Sequence, residues 1–338
     1  MKYKVLLICS DFRWYADSYK KAFENNDCEV VLLASHIGLY KYQIFKRCFA
    51  FFGYKNLHDK EKKMAAFNEK VIRNARSFQP NIVYSILSID LYRETIVELK
   101  KKSKMVLLLG DSLGQYIEAE SNVDLFDLIY SYEWKDINFL KGKGYRVLPQ
   151  MGVCDEKLYY HIPCEKKYDV TFVGKMYPER KEILERLIVD LQKVNFKFYG
   201  EYAPLRKPWQ FLKWLMNRRA RECFVNRNTS YNETNNIYNQ SKIVLDIHCA
   251  QSTMGWSSRL PEISCTKTFQ IVDYNPIIEN EFGGNIVCYK NYIELVKLIQ
   301  HYLDNPAERD EMAYRGYRHV VSMTVTNSIK RMLDDLVK

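Results

Sequence analysis

The feature that most constrains this chain is a run of short apolar segments, each ending in a small or polar residue and each followed by a helical stretch. In the first half they read KYKVLLICS, CEVVLLAS, PNIVYSILS, KMVLLLGD, FDLIYSYE and YRVLPQMG. Segments apolar along their whole length, rather than at every second residue, belong to a parallel sheet covered by helices on both faces. The pattern pauses at YYHIPCEKK and restarts with YDVTFVG, FKFYGEY, a segment ending at His248, KTFQIVDY and GNIVCY. A chain of 338 residues also exceeds the roughly 100–200 residues of one typical core. The sequence thus predicts two successive α/β domains with a boundary near residues 155–165.

Parallel sheets of this kind take ligands at the carboxyl ends of their strands. Asp11 and Asp111 follow strands in the first half. In the second half, VTFVGKMYPERKEILERL turns from strand to helix through Gly174. The turn offers free N–H groups and the positive end of a helix dipole, while Lys175 and Arg180 add charge suited to a diphosphate. It is too short for a GxxxxGK[ST] loop, and no GxGxxG occurs. A strand-glycine-helix turn more often binds nothing.

A second candidate is SSRLPEISCTKTFQIVDY, where Arg259 and Glu262 stand three residues apart. Residues so spaced share a helix face and can simply pair with each other. Here they follow a strand and the glycine-containing loop STMGWSS, which sets them at a sheet's carboxyl edge. A carboxylate there can accept both hydroxyls of a ribose, and an arginine can hold phosphate oxygens bidentately.

The net charge of +10 points to anionic partners. It concentrates in Leu39–Lys55, with four cations among seven aromatics, and in Leu205–Arg227, with seven cations against one acid. Both suit an anionic membrane surface, or equally a fold whose aromatics are core and whose cations are solvated. Nucleic acid is not expected: the 41 acids are interspersed with the 51 bases, and no nucleic-acid motif accompanies them. The nine cysteines are scattered without metal spacing, as in reduced cytosolic proteins. The N-terminal residues read as a strand rather than a signal peptide, and no apolar run approaches the roughly 18–20 residues of a membrane span. A cytoplasmic location follows, with peripheral contact at the inner face of the membrane.

Three blocks occur in order: VTFVGKMYPERKEILERL; IYNQSKIVLDIHCAQSTMGWSSRLPEISCTKTFQIVD; and CYKNYIELVKLIQHYLDNPAERDEMAYRGYRHV. Together they resemble the nucleotide-sugar-binding half of GT-B glycosyltransferases, most closely the branch related to spore maturation proteins with its R-x-F-E pattern. The resemblance implies two Rossmann-like domains facing across a cleft and a last helix crossing back to the first domain. The implied division is residues 1–160 for the acceptor, 161–315 for the nucleotide sugar, and 316–338 for the returning helix. Glu262 matches the glutamate that binds the donor ribose, Arg259 the arginine beside the diphosphate, and Gly174 the glycine of the phosphate-facing loop. Tyr238 and His248 fall in the second block, near the donor. Leu260 and Pro261 depart from the middle of R-x-F-E, and SCTKT replaces the small-residue turn that follows. Met254 stands where many retaining members carry the first glutamate of E-x7-E, so retention does not follow.

The implied activity is transfer of a sugar from a nucleoside-diphosphate sugar to a hydroxyl of a surface glycan, a lipid-linked precursor or a glycoprotein. The nucleotide sugar is a substrate, and no cofactor is implied. Lys175, Arg180 and Arg259 can stabilise the leaving diphosphate, and no D-x-D motif of a metal-dependent alternative occurs. An inverting reaction also needs a base for the acceptor hydroxyl. Asp111 is the first candidate, with Asp11 and Glu133 behind it, although each also fits a helix cap or turn. A non-catalytic sensor of nucleotides or sugar phosphates is the competing reading.

Overall fold

The computed structural model describes residues 3–10, 13–35, 55–88, 90–110, 112–113, 120–205, 207–249 and 254–337. Asp11, Asp111 and residues 39–54 of the first basic segment lie outside the described residues. The chain forms two compact units, Met1–Gln150 with Val325–Lys338, and Met151–Thr324.

The first unit holds a six-stranded parallel sheet: β1 (Tyr3–Ser10), β2 (Cys28–Ser35), β3 (Ile82–Ile86), β4 (Lys104–Leu109), β5 (Leu128–Ser131) and β6 (Val147–Pro149), in the order β2-β1-β3-β4-β5-β6. Every residue of β3 and β5 is buried, which is why these segments carry no polar alternation. The crossovers include α1 (Arg13–Asn25), α2 (Lys55–Phe78), α3 (Arg93–Lys100) and α4 (Trp134–Gly142).

The second unit repeats the plan with β7 (Tyr168–Val173), β8 (Phe196–Tyr199), β9 (Phe224–Val225), β10 (Ser241–Asp246), β11 (Phe269–Asp273) and β12 (Val287–Tyr289). All its pairings are parallel, in the order β12-β11-β10-β7-β8-β9. Its helices are α5 (Pro178–Asp190), α6 (Pro208–Met216), α7 (Arg218–Cys223), α8 (Tyr231–Asn239), α9 (Arg259–Cys265), α10 (Pro276–Phe282), α11 (Tyr292–Asp304) and α12 (Pro306–Val320). Successive strand residues face opposite sides. On β10, Ile243 and Leu245 enter one apolar cluster with Val170 and Phe172, while Val244 enters the other with Leu260 and Ile263. The strand order reverses between β7 and β10. In open parallel sheets a crevice forms beyond the carboxyl ends at such a switch point.

The last helix, α13 (Val325–Asp335), belongs to the first unit and packs on α1. Ile329, Met332 and Leu333 supply its buried face. Asn26 Nδ2 donates to Thr326 O at 3.1 Å, Tyr130 Oη to Asp335 Oδ2 at 2.9 Å, and Arg146 to the Asp335 carbonyl at 2.7 Å. Among the described residues, no helix is long and apolar enough to cross a membrane.

Candidate functional site

β7 ends at Val173, and the chain turns through Gly174, whose N–H donates to Tyr199 O at 3.0 Å. A Cβ at position 174 would lie 3.2 Å from both Arg259 Nη2 and Phe172 Cζ. Glycine is therefore the residue that lets the arginine lie against this turn. Gly200 closes the other side: its φ is +152°, and a Cβ there would collide with the Gly174 carbonyl. Lys175 is exposed just beyond the turn.

Two arginines meet here. Arg180, in the first turn of α5 and buried, donates Nε–H to Ile247 O at 2.8 Å and Nη1–H to Lys175 O at 3.0 Å. Arg259, at the start of α9, donates from Nη1 to Asp246 Oδ1 at 2.9 Å and to the same Ile247 carbonyl at 3.2 Å. Both guanidinium carbons lie over the Phe172 ring, at 5.6 and 5.4 Å from its centroid. Burial and the neighbouring Arg259 push the Arg180 pKa down to about 10, so it stays charged at neutral pH. Burial also works against the charge on Arg259, but Asp246 together with Tyr238, Glu262 and Asp273 outweighs it, and the pKa is raised. Asp246 is fully buried, and its Oδ2 has no hydrogen-bond partner among the described residues. At the turn itself the two arginines face the single carboxylate of Asp246, and exposed Lys175 adds a third cation, an arrangement that suits an anion.

His248 follows directly. Its backbone N–H and its Nδ1 both meet Asp273 Oδ1, at 2.9 and 2.7 Å, while its buried Nε2 has no partner among the described residues. Burial opposes protonation, yet Asp246 and Asp273 together outweigh it and raise the His248 pKa. Burial would raise Asp273 as well, but its hydrogen bonds and the histidine charge hold it below the ordinary value. Tyr238 is buried behind this group, its ring 6.2 Å from that of Tyr159.

Glu262 shares α9 with Arg259, but the ion pair of Arg259 is with Asp246. Neither residue lies on an open surface: Glu262 is 6% exposed, and the Arg259 side chain 16%. Burial lifts the Glu262 pKa to about 7, against the lowering pull of a Ser258 hydrogen bond and the Arg259 charge. The start of α9 is held by Gly152, whose N–H donates to Trp256 O at 3.0 Å and whose carbonyl accepts from Trp256 Nε1 at 3.3 Å. Any Cβ at position 152 would collide with the Ser257 backbone.

The second unit thus brings together Gly174, Arg180, Tyr238, His248, Arg259 and Glu262, with Lys175 at the margin. Asp246 and Asp273 complete the cluster, and sequence reasoning missed both as site residues. Their signal was the aspartate that ends each strand, SKIVLD and FQIVD. Glu133 belongs to the first unit, buried just after β5, with its N–H on Ser131 Oγ at 3.2 Å. Among the described residues, no group of three His, Cys, Asp or Glu side chains is arranged to hold a metal.

Solved structures share this architecture along the whole chain. Sucrose-phosphate synthase (tll1590) from Thermosynechococcus elongatus superposes with a TM-score of 0.70 at 10% identity, over 99% of each chain. Anabaena Alr3699/HepE in complex with UDP-glucose gives 0.63 at 13% identity, over 98% of this chain and all of that one. The fold is GT-B. A UDP-forming α,α-trehalose-phosphate synthase from Burkholderia xenovorans gives 0.64 at 11% identity, over 99% of this chain and 98% of that one. A family model described as glycosyl transferase-like matches residues 180–334, somewhat under half of this GT-B chain. A comparison with curated proteins found no match.

Proposed function

We propose that this GT-B protein is a glycosyltransferase that moves a sugar from a nucleoside-diphosphate sugar to an acceptor hydroxyl. The observation that carries the reading is the arginine pair over Phe172, set beside Gly174 at the switch point of the second sheet, with buried Glu262 one turn along α9 from Arg259. The glycosyl transferase-like model covers these residues except Phe172 and Gly174, and Alr3699/HepE was solved with UDP-glucose. In this reading Glu262 accepts the ribose hydroxyls. Arg259, Lys175 and the N–H groups after Gly174 hold the diphosphate, and Arg180 braces the turn through the Ile247 and Lys175 carbonyls. His248 and Tyr238 line the donor side.

During transfer the anomeric C–O bond to the diphosphate breaks and a bond from the acceptor oxygen to that carbon forms. The acceptor proton leaves to a base, and negative charge grows on the departing diphosphate. Fixed cations at that charge lower the barrier without reorganising. These cations supply the stabilisation without a metal, and Asp111 is the proposed base. The acceptor is a bacterial surface polysaccharide, a lipid-linked glycan or a glycoprotein, reached from the cytoplasmic side.

A thermal-shift and turnover screen across UDP-, GDP-, dTDP- and CMP-sugars tests the proposal. Stabilisation and consumption of one donor, both lost in Arg259→Ala, are expected. If no donor stabilises or is consumed, the reading fails. Stabilisation without turnover over any acceptor would favour the sensor instead.

A further inference from the structure

The second unit carries an apolar, cationic helix that neither its core nor its donor cluster uses. None of the nine residues of α6, PWQFLKWLM, is buried. Phe211 and Trp214 lie tilted against each other with ring centroids 5.5 Å apart, and Trp214 leans on the core of the unit. At 3.6 residues per turn, Trp209, Leu212 and Met216 fall together on another face, with Leu215 beside them. That stripe is open to solvent: Trp209 is 78% exposed, Met216 77%, Leu215 45% and Leu212 43%. Leu205, just upstream, is 77% exposed.

Its surroundings are cationic. From Leu205 to Arg221 the sequence holds six lysines and arginines and no acid. The first acid, Glu222, is bonded to Arg218 at 2.9 Å. Arg219 donates to Val194 O at 3.0 Å, which leaves exposed Lys207, Lys213 and Arg221 around the stripe. A core helix buries such a stripe, and a solvated helix lacks one. The centre of a protein interface is depleted in charge, lysine included. Tryptophan and aliphatic residues bordered by lysine and arginine are instead the composition of a helix lying in a bilayer interface.

We propose that α6 docks on an anionic phospholipid surface. Trp209, Leu212, Leu215 and Met216 enter the headgroup–acyl boundary, while Lys207, Lys213 and Arg221 lie among the lipid phosphates. One short helix gives reversible binding rather than permanent anchoring. This goes beyond the glycosyl-transfer reading and does not depend on it, since no residue of α6 belongs to the donor cluster.

The test uses the full chain without nucleotide, sedimented with vesicles of phosphatidylcholine alone or with roughly a third phosphatidylglycerol. Binding is expected only to the anionic vesicles and falls as salt shortens the screening length. The Trp209 emission, taken as the difference from a Trp209→Phe variant, shifts to the blue. Leu212→Glu/Met216→Glu abolishes binding, and Lys207→Gln/Lys213→Gln weakens it about thirtyfold. All variants keep the parent melting temperature, because the altered side chains are exposed. No binding, equal binding to both vesicle types, or binding that survives Leu212→Glu/Met216→Glu overturns the proposal. So does a dimer in solution that this double variant dissolves, because the stripe would then be covered by a second copy.

Discussion

At Glu262 one proton couples stability to ligand binding. Its pKa is about 7 in the folded chain against an ordinary 4.5, so the folded state holds a proton that the unfolded state releases. Its contribution to stability is therefore fully present below about 4.5 and is lost as the pH rises to about 7, a loss of roughly 3 kcal/mol. Urea unfolding of the free protein between these values should show that decline, and Glu262→Gln should flatten it. A carboxylate that accepts ribose hydroxyls must be ionised, so donor binding should follow the opposite trend. Affinity for a nucleotide sugar, whose diphosphate does not titrate here, should rise about tenfold per pH unit up to about 7 and then level off. The Gln variant should bind more weakly and lose this dependence, whereas any dependence that stems from His248 would persist in it. Arg259→Ala should cost donor affinity and also about 3–5 kcal/mol of stability, because Asp246 would keep a buried charge with no partner. Arg259→Lys should recover only part of each, since lysine lacks the planar guanidinium that lies over Phe172 and can fork onto phosphate oxygens.

Among the elements, α9 positions both residues, and it is fixed from outside its own sequence. Gly152 lies more than a hundred residues upstream, yet its backbone is joined to Trp256 and leaves no room for a side chain beside Ser257. Gly152→Ala should displace the start of α9, cost about 1–3 kcal/mol in urea unfolding, and weaken donor binding without touching a donor-binding side chain. Such a contact has no local signature, so the sequence alone left open whether Arg259 and Glu262 simply pair. The answer depends on Asp246, thirteen residues before Arg259 on the neighbouring strand β10. The α/β pattern was far easier to read. Segments such as IVYSI and MVLLL show no polar alternation because both faces of their sheet are covered. The two-residue β9 escaped notice: Phe224–Val225 is too short for any periodicity and is defined only by its pairing with β8.

On the scale of the whole molecule, the chain leaves its first unit at Gln150 and re-enters it at Val325. Every residue assigned to the donor lies between those points, so the stability of the first unit and donor binding can be perturbed separately. α13 is the place to do so. Its sequence VTNSIKRMLDD is mostly polar, but Ile329, Met332 and Leu333 fall on one face and are buried in the first unit. Truncating such a residue in a packed interior costs about 2–5 kcal/mol. Ile329→Ala/Met332→Ala should therefore lower the unfolding midpoint of the first unit by more than either single change, given their shared face. The two units have separate cores, so calorimetry of the double variant should show a transition that moves down and another that a bound nucleotide sugar still moves up. Donor affinity at a temperature where both units are folded should match the parent within about twofold, because every residue assigned to the donor belongs to the second unit and both altered side chains to the first. Equal loss of donor affinity and of stability would mean that α13 acts on the second unit as well. Turnover carries separate information: if the acceptor base is Asp111, the double variant should lose transfer at the temperature where the first unit melts, while the donor stays bound.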